Sequence, residues 1–143
     1  MDGWLRFYPP DVFPTLWSKL DEAIAAGTIV SSEEVYVEVE KKADDLHDWI
    51  KDRKQMLVPL TEPIQRRASQ LLTEYPRLVD TLRGRSMADP FVIATAMELG
   101  AIVVTGEVRT GKMDKPRIPD VCGVKAISCI SFLEMIRQLG LTF

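Results

Sequence analysis

Two patterns of apolar residues run along this chain: stripes of helical spacing and short continuous runs of β-branched residues. From Asp11, the positions Val12, Phe13, Leu16, Trp17, Leu20 and Ile24 fall on one helical stripe, and Gly27 is placed to close that helix. The short run Thr28 to Val30 follows. Ser31 with Glu34 three residues on has the form of a capping box, opening a second helix through Val35, Val37 and Val39. The segment "ADDLHDWIKDRK" continues helically, and Met56 to Val58 is a candidate strand. Thr61 is placed to cap a helix carrying Ile64, Leu71 and Leu72, which Pro76 interrupts, and a last helical piece around Leu78 to Leu82 ends at Gly84.

Asp89-Pro90 predicts a helix start, because aspartate accepts the free amides of a first turn and proline prefers the first helical position. Gly100 ends that helix. "AIVVT", residues 101–105, is nearly all apolar and predicts a strand buried on both faces in the interior of a parallel sheet. "GEVRTGKMDKPRIPD" predicts a long loop with four cations, "AISCI" another short strand, and Ser131 with Glu134 a capping box for a final helix through Leu133, Ile136 and Leu139. Helices separated by short β-branched strands predict an α/β fold on a parallel sheet. With no repeat, low-complexity segment or linker, residues 1–143 form a single domain.

Composition narrows the functions less than the fold. With 46% apolar residues in 143, the chain can bury a core of its own. A formal net charge of −3 argues against a protein that coats polyanions as a whole, yet leaves room for a local basic patch, so nucleic acid is neither implied nor excluded. Apolar stretches stop well short of the roughly 18 residues that span a bilayer, and the acidic N-terminus has no signal-peptide pattern. The expectation is a cytoplasmic chain with no membrane partner. Cys122 and Cys129 stand alone with a single histidine, which excludes a zinc spacing and predicts two reduced, packed thiols.

The acids carry the candidate chemistry. Parallel α/β sheets place ligands beyond the carboxyl ends of their strands, and Glu107 sits there, two residues after Thr105. Asp89 heads the helix that returns to the same strand, Glu38 lies on the second helix and Asp120 closes the basic loop. Four carboxylates near one edge repel without a cation, and Mg²⁺ or Mn²⁺ prefers such oxygen ligands. A site of that kind activates water and offsets charge in phosphodiester cleavage. Each residue also has a plainer reading. Asp89 fits a helix cap, Glu34 and Glu38 a solvated helix face, and Glu107 and Asp120 ordinary loop acids. Arg109, Lys112, Lys115 and Arg117 either keep a loop soluble or hold phosphates.

The segments "FYPPDVFPTLW", "GRSMADPFVIATAMELGAIVVTGE" and "IPDVC", in this order, resemble the PIN-like ribonuclease domains, in particular a branch described as a domain of unknown function and often encoded beside helix-turn-helix antitoxins. The likeness runs from about Phe7 to Phe143. It implies a three-layer α/β/α sandwich with a parallel sheet, and an acid cluster binding Mg²⁺ or Mn²⁺ for cleavage of single-stranded RNA. Glu38, Asp89 and Glu107 fall on the family's acid positions, and Asp120 on the acid of its "IPD" pattern. The family opens with an apolar strand ending in an aspartate, of the form hhhDxN, and this sequence starts after it. Asp2 follows no strand and stands too near "FYPPD" to take that place. The implied activity is a metal-dependent endoribonuclease, the toxin of a toxin–antitoxin pair, impaired in this chain by the missing aspartate. The implied partners are single-stranded RNA, an antitoxin protein and a second copy of the chain. The alternative is a nuclease-dead PIN-like module that binds a partner protein or RNA.

Overall fold

A computed structural model describes residues 6–42, 45–79 and 87–143. Among these, helix α1 spans Pro14–Ala25, strand β1 Ser31–Ser32, α2 Glu33–Glu40 and α3 Asp45–Lys51. A 3₁₀ turn at Lys54–Met56 leads into β2 Leu57–Val58, followed by α4 Glu62–Glu74 and a second 3₁₀ turn Pro76–Leu78. Then come α5 Asp89–Leu99, β3 Val103–Val104, α6 Ile118–Val124, β4 Cys129–Ile130 and α7 Phe132–Gln138. The chain is therefore a mixed helix and strand protein with short parallel strands.

The helix ends follow local chemistry, with small displacements from the sequence reading. α1 starts at Pro14 rather than Asp11, because a residue before proline avoids the helical region; Phe13 sits at φ −121°, ψ 54°. Val12 is consequently 62% exposed, while Leu16, Trp17, Leu20 and Ile24 form the buried stripe. Ser32, not Ser31, caps α2, its hydroxyl accepting from the Glu34 amide at 3.4 Å. Ser31 and Ser32 are instead drawn into β1 by pairing with Leu57 and Val58, a tertiary effect that overrides serine's weak strand preference. The expected "ADDLHDWIKDRK" helix is a separate short helix, α3. The piece expected from Leu78 to Gly84 begins inside the second 3₁₀ turn, and its remainder lies outside the described residues. Ala88 takes the N-cap position of α5, so Asp89 is its first residue and Pro90 its second. Gly100 closes α5 in the left-handed region (φ 62°, ψ 35°), its amide donating to the Ala96 carbonyl. Ser131 and Glu134 form the full capping box of α7, at 3.2 and 2.7 Å.

The strands form two parallel pairs, β1 with β2 and β3 with β4. The interior position expected of "AIVVT" is thus not what the described residues form, since β3 has β4 as its one strand partner among them. Alternation along each pair divides the core. Val103 and Cys129 pack with Ile64, Leu71, Ile93 and Val121 of α4, α5 and α6, whereas Val104 and Ile130 pack with Leu16, Leu20, Phe132 and Ile136 of α1 and α7. Val58 joins the first of these clusters, and its neighbour Leu57 packs instead with Val39, Leu46 and Ile50 of α2 and α3. Both pairs therefore carry helices on each face and share the α4–α5–α6 layer. α5 is buried nearly all round, with Ile93 and Ala94 at 0% exposure, as expected of a helix with little polar face. No helix among the described residues is long and apolar enough to cross a membrane.

Candidate carboxylate site and basic loop

The four acids fall into two pairs. Glu38, half-buried on the last turn of α2, reaches across to the start of α5, where its Oε1 accepts from the Met87 amide at 2.6 Å, two residues ahead of Asp89. Asp89 itself is 8% exposed, its carboxylate in the first turn where the helix dipole favours negative charge. Ala88, not Asp89, takes the N-cap position expected of the aspartate.

Glu107 and Asp120 belong to the other pair, and they bind the basic loop at both ends. Glu107 leaves the carboxyl end of β3, its amide turned onto the Thr105 hydroxyl at 3.1 Å, and its Oε2 crosses the loop to accept from the Ile118 amide at 3.1 Å. Asp120, on α6, reaches back the other way. Its Oδ1 accepts from the amides of Thr110 (2.9 Å) and Gly111 (2.8 Å), and its Oδ2 from the Thr110 hydroxyl (2.8 Å) and the Arg117 amide (2.9 Å). A carboxylate offers about four lone-pair positions, so these bonds use its accepting capacity. Burial pushes the Asp120 carboxyl upward, but the bonds from Arg117, Gly111 and Thr110 outweigh it, and the net direction is below the ordinary value. The Arg117 side chain has only donors and cannot return the bond, so the Asp120 amide donates to the Arg117 backbone carbonyl at 3.0 Å.

The cations of the loop differ in setting. Lys112 and Arg117 are exposed, while Lys115 is half-buried. The Arg109 guanidinium lies over Gly123 of α6, where an added Cβ would come within 3.1 Å of its Cζ and collide with a terminal nitrogen. Next to it lie the two free thiols. Cys122 is fully buried and pushed up to about 12 by burial first, then by the charge of Cys129 and a hydrogen bond with it. Cys129 is raised chiefly by burial, with Arg109 pulling against it.

The structure therefore brings Glu38 to the Asp89 end of α5 and ties Glu107 and Asp120 into one loop. It gathers no group of three or more His, Cys, Asp or Glu that could hold a metal among the described residues. Sequence reading missed Thr110, Gly111 and Gly123, the residues that shape the loop. The Thr-Gly step, with Gly111 at φ 72°, was the available turn signal.

A family model described as "Domain of unknown function (DUF4411)" matches residues 1–143. The chain belongs to that family. The match spans the α5–β3 unit, the basic loop and α6 together, so the two acid pairs lie within one family domain. No curated protein and no solved structure matches the chain.

Proposed function

We propose that this chain is a PIN-like endoribonuclease domain that uses Mg²⁺ or Mn²⁺ to cleave single-stranded RNA, acting as the toxin of a toxin–antitoxin pair. In this reading the two strand pairs belong to one three-layer α/β/α sandwich, and Glu38, Asp89 and Glu107 are the acids that would hold the ion, with Asp120 beside them. The observation that supports it most is the Glu38 carboxylate on the Met87 amide, because it brings an acid of α2 to within two residues of Asp89 along the chain at the start of α5. The donor chemistry suits a hard cation, which supplies charge neutralisation and an activated water when bound. The geometry suits it less well, with the acids in two pairs and Asp120 already saturated by hydrogen bonds. That saturation favours a second reading, a nuclease-dead module that binds RNA or an antitoxin protein.

The test is a paired assay on one single-stranded RNA, with Mn²⁺ and with chelator. It compares the chain from Met1 to Phe143 with a version preceded by an apolar strand of the form hhhDxN. The extended version is expected to cleave with Mn²⁺ and not with chelator, and Asp89→Asn in it to lose cleavage by about two orders of magnitude or more, on the order of one catalytic charge removed. Asparagine nearly preserves the shape at position 89, so loss with an unchanged melting temperature reports on charge. Robust cleavage by the shorter chain removes the need for a first-strand aspartate. No cleavage by the extended chain moves the assignment to the binding module.

A further inference from the structure

The acid at 120 is better placed to hold the basic loop than to hold an ion. Loop 108–117 carries Arg109, Lys112, Lys115 and Arg117 against the single acid Asp114. A segment with four cations repels itself and has little apolar surface with which to fold, so something must impose its shape. Two acids do so from opposite ends. Glu107, before the loop, takes the amide of Ile118 after it, and Asp120, after the loop, takes three donors at Thr110 and Gly111 within it and a fourth at Arg117. Secondary contacts continue the fold of the loop: Lys112 donates its amide to the Thr110 hydroxyl at 3.2 Å, and Lys115 donates its amide to the Lys112 carbonyl at 3.2 Å. Asp120 is 4% exposed and Pro116 is among the fully buried side chains, so the base of the loop is packed into the protein while Lys112 and Arg117 face water. Arg109 is held separately, over the bare backbone of Gly123.

We propose that Glu107 and Asp120 form a reciprocal clasp that makes loop 108–117 a preshaped phosphate-binding surface for single-stranded RNA, with Asp120 a positioning residue and not a metal ligand. The proposal deepens the reading above and rests on its RNA-binding part alone. Preshaping matters because the ordering cost of the loop is met on folding and not on binding. The clasp also gives Thr110 a task that a metal-ligating Asp120 would not need: its hydroxyl takes up a lone pair that a cation would otherwise use.

Thr110 supplies the discriminating variants, since it leaves both acids in place. Thr110→Val removes the hydroxyl bond, and Thr110→Ser restores it. The probes are a labelled single-stranded oligouridylate followed by anisotropy at several salt concentrations, Mn²⁺ followed by electron paramagnetic resonance, and amide hydrogen exchange at Gly111 and Arg117. For Thr110→Val the expected results are faster exchange at both amides, oligouridylate affinity lower by roughly threefold to tenfold, and a shallower salt dependence, with Mn²⁺ affinity unchanged. Thr110→Ser should match the unaltered chain. Asp120→Asn should show the same changes more strongly. Tighter Mn²⁺ binding by Thr110→Val, or loss of Mn²⁺ binding in a folded Asp120→Asn with loop exchange unchanged, would overturn the proposal in favour of a ligand. Failure of the unaltered chain to bind oligouridylate would overturn it as well. Binding without cleavage counts only against the nuclease reading.

Discussion

Asp120 and Gly123 carry most of what is particular to this loop, and both have consequences that can be measured. The Asp120 carboxyl lies below its ordinary value in the folded chain, so as pH falls the unfolded state, with a carboxyl near 3.9, takes up its proton first. Its contribution to stability is therefore complete above about pH 5 and is lost as pH falls through the lowered folded value. Glu134 is lowered too, through its bonds with Ser131, and adds in the same direction. Urea unfolding followed from pH 7 to pH 3 should show this acid limb, and Asp120→Asn should flatten it. A variant with an unchanged limb would show that the four bonds do not act on charge. Gly123→Ala tests the seat of Arg109. Alanine raises helix propensity by no more than about 1 kcal/mol at this position near the helix end, and the guanidinium is a flexible end that can move aside. Thermal stability should hold or rise slightly. Cys129, deprived of the cation that favours its thiolate, should alkylate severalfold more slowly at mildly alkaline pH.

At the scale of elements, the helix ends read directly from sequence are those whose signal is local. The Ser131–Glu134 box and the Gly100 stop both form as expected, because each depends only on residues within one turn of the helix end. Ser131→Ala should cost about 1 kcal/mol, and Gly100→Ala about 1–2 kcal/mol because φ 62° crowds a Cβ. Each kilocalorie corresponds to a fall in melting temperature of roughly 3–5 °C for a chain of this size, followed by circular dichroism. The displaced elements have equally definite causes. α1 starts three residues late through the backbone restriction that Pro14 places on Phe13, and β1 forms at two serines because β2 offers them partners. β2, β3 and β4 fall inside the apolar runs 56–58, 101–105 and 126–130 read as strands, whereas the place of β1 was set by pairing and not by pattern.

For the molecule as a whole, the side of β3 turned away from β4, without a strand partner among the described residues, carries the clearest test. The Val103 and Thr105 amides donate to Ser128 and Ile130 of the β4 segment, so alternation turns the Val104 amide away from it, and that amide has no backbone partner among the described residues. The Thr95 hydroxyl on the adjoining α5 is likewise buried without a hydrogen-bond partner among them. A parallel edge with no strand partner among the described residues offers backbone groups that another chain can pair with. Light scattering over a range of concentrations is expected to show self-association or, with an antitoxin protein present, a mixed complex. Val104→Pro removes the edge donor and should abolish either, whereas Val104→Ala, which loses similar packing, should keep it. A strict monomer that binds nothing at this edge would place the missing partner within the chain itself.

The mixture of helices and strands, the order of most helices and the parallel direction of the strands were legible in the sequence; α6 was not, because its first residues, Ile118 to Asp120, read as the end of the basic loop. Periodicity, caps and breakers act within a turn or two of the chain, so their energetics are written in neighbouring residues. Which acids meet was not legible. Glu38 reaches Met87 across 49 positions, and Asp120 meets Thr110 only because a ten-residue loop returns on itself. The number of lone pairs left on a carboxylate, and the absence of a Cβ beneath Arg109, depend on which distant backbone arrives beside them. Pattern could nominate Asp120 as an acid closing the basic loop. Tertiary structure decided that its charge is already spent on holding the loop, because four donors converge there in the fold.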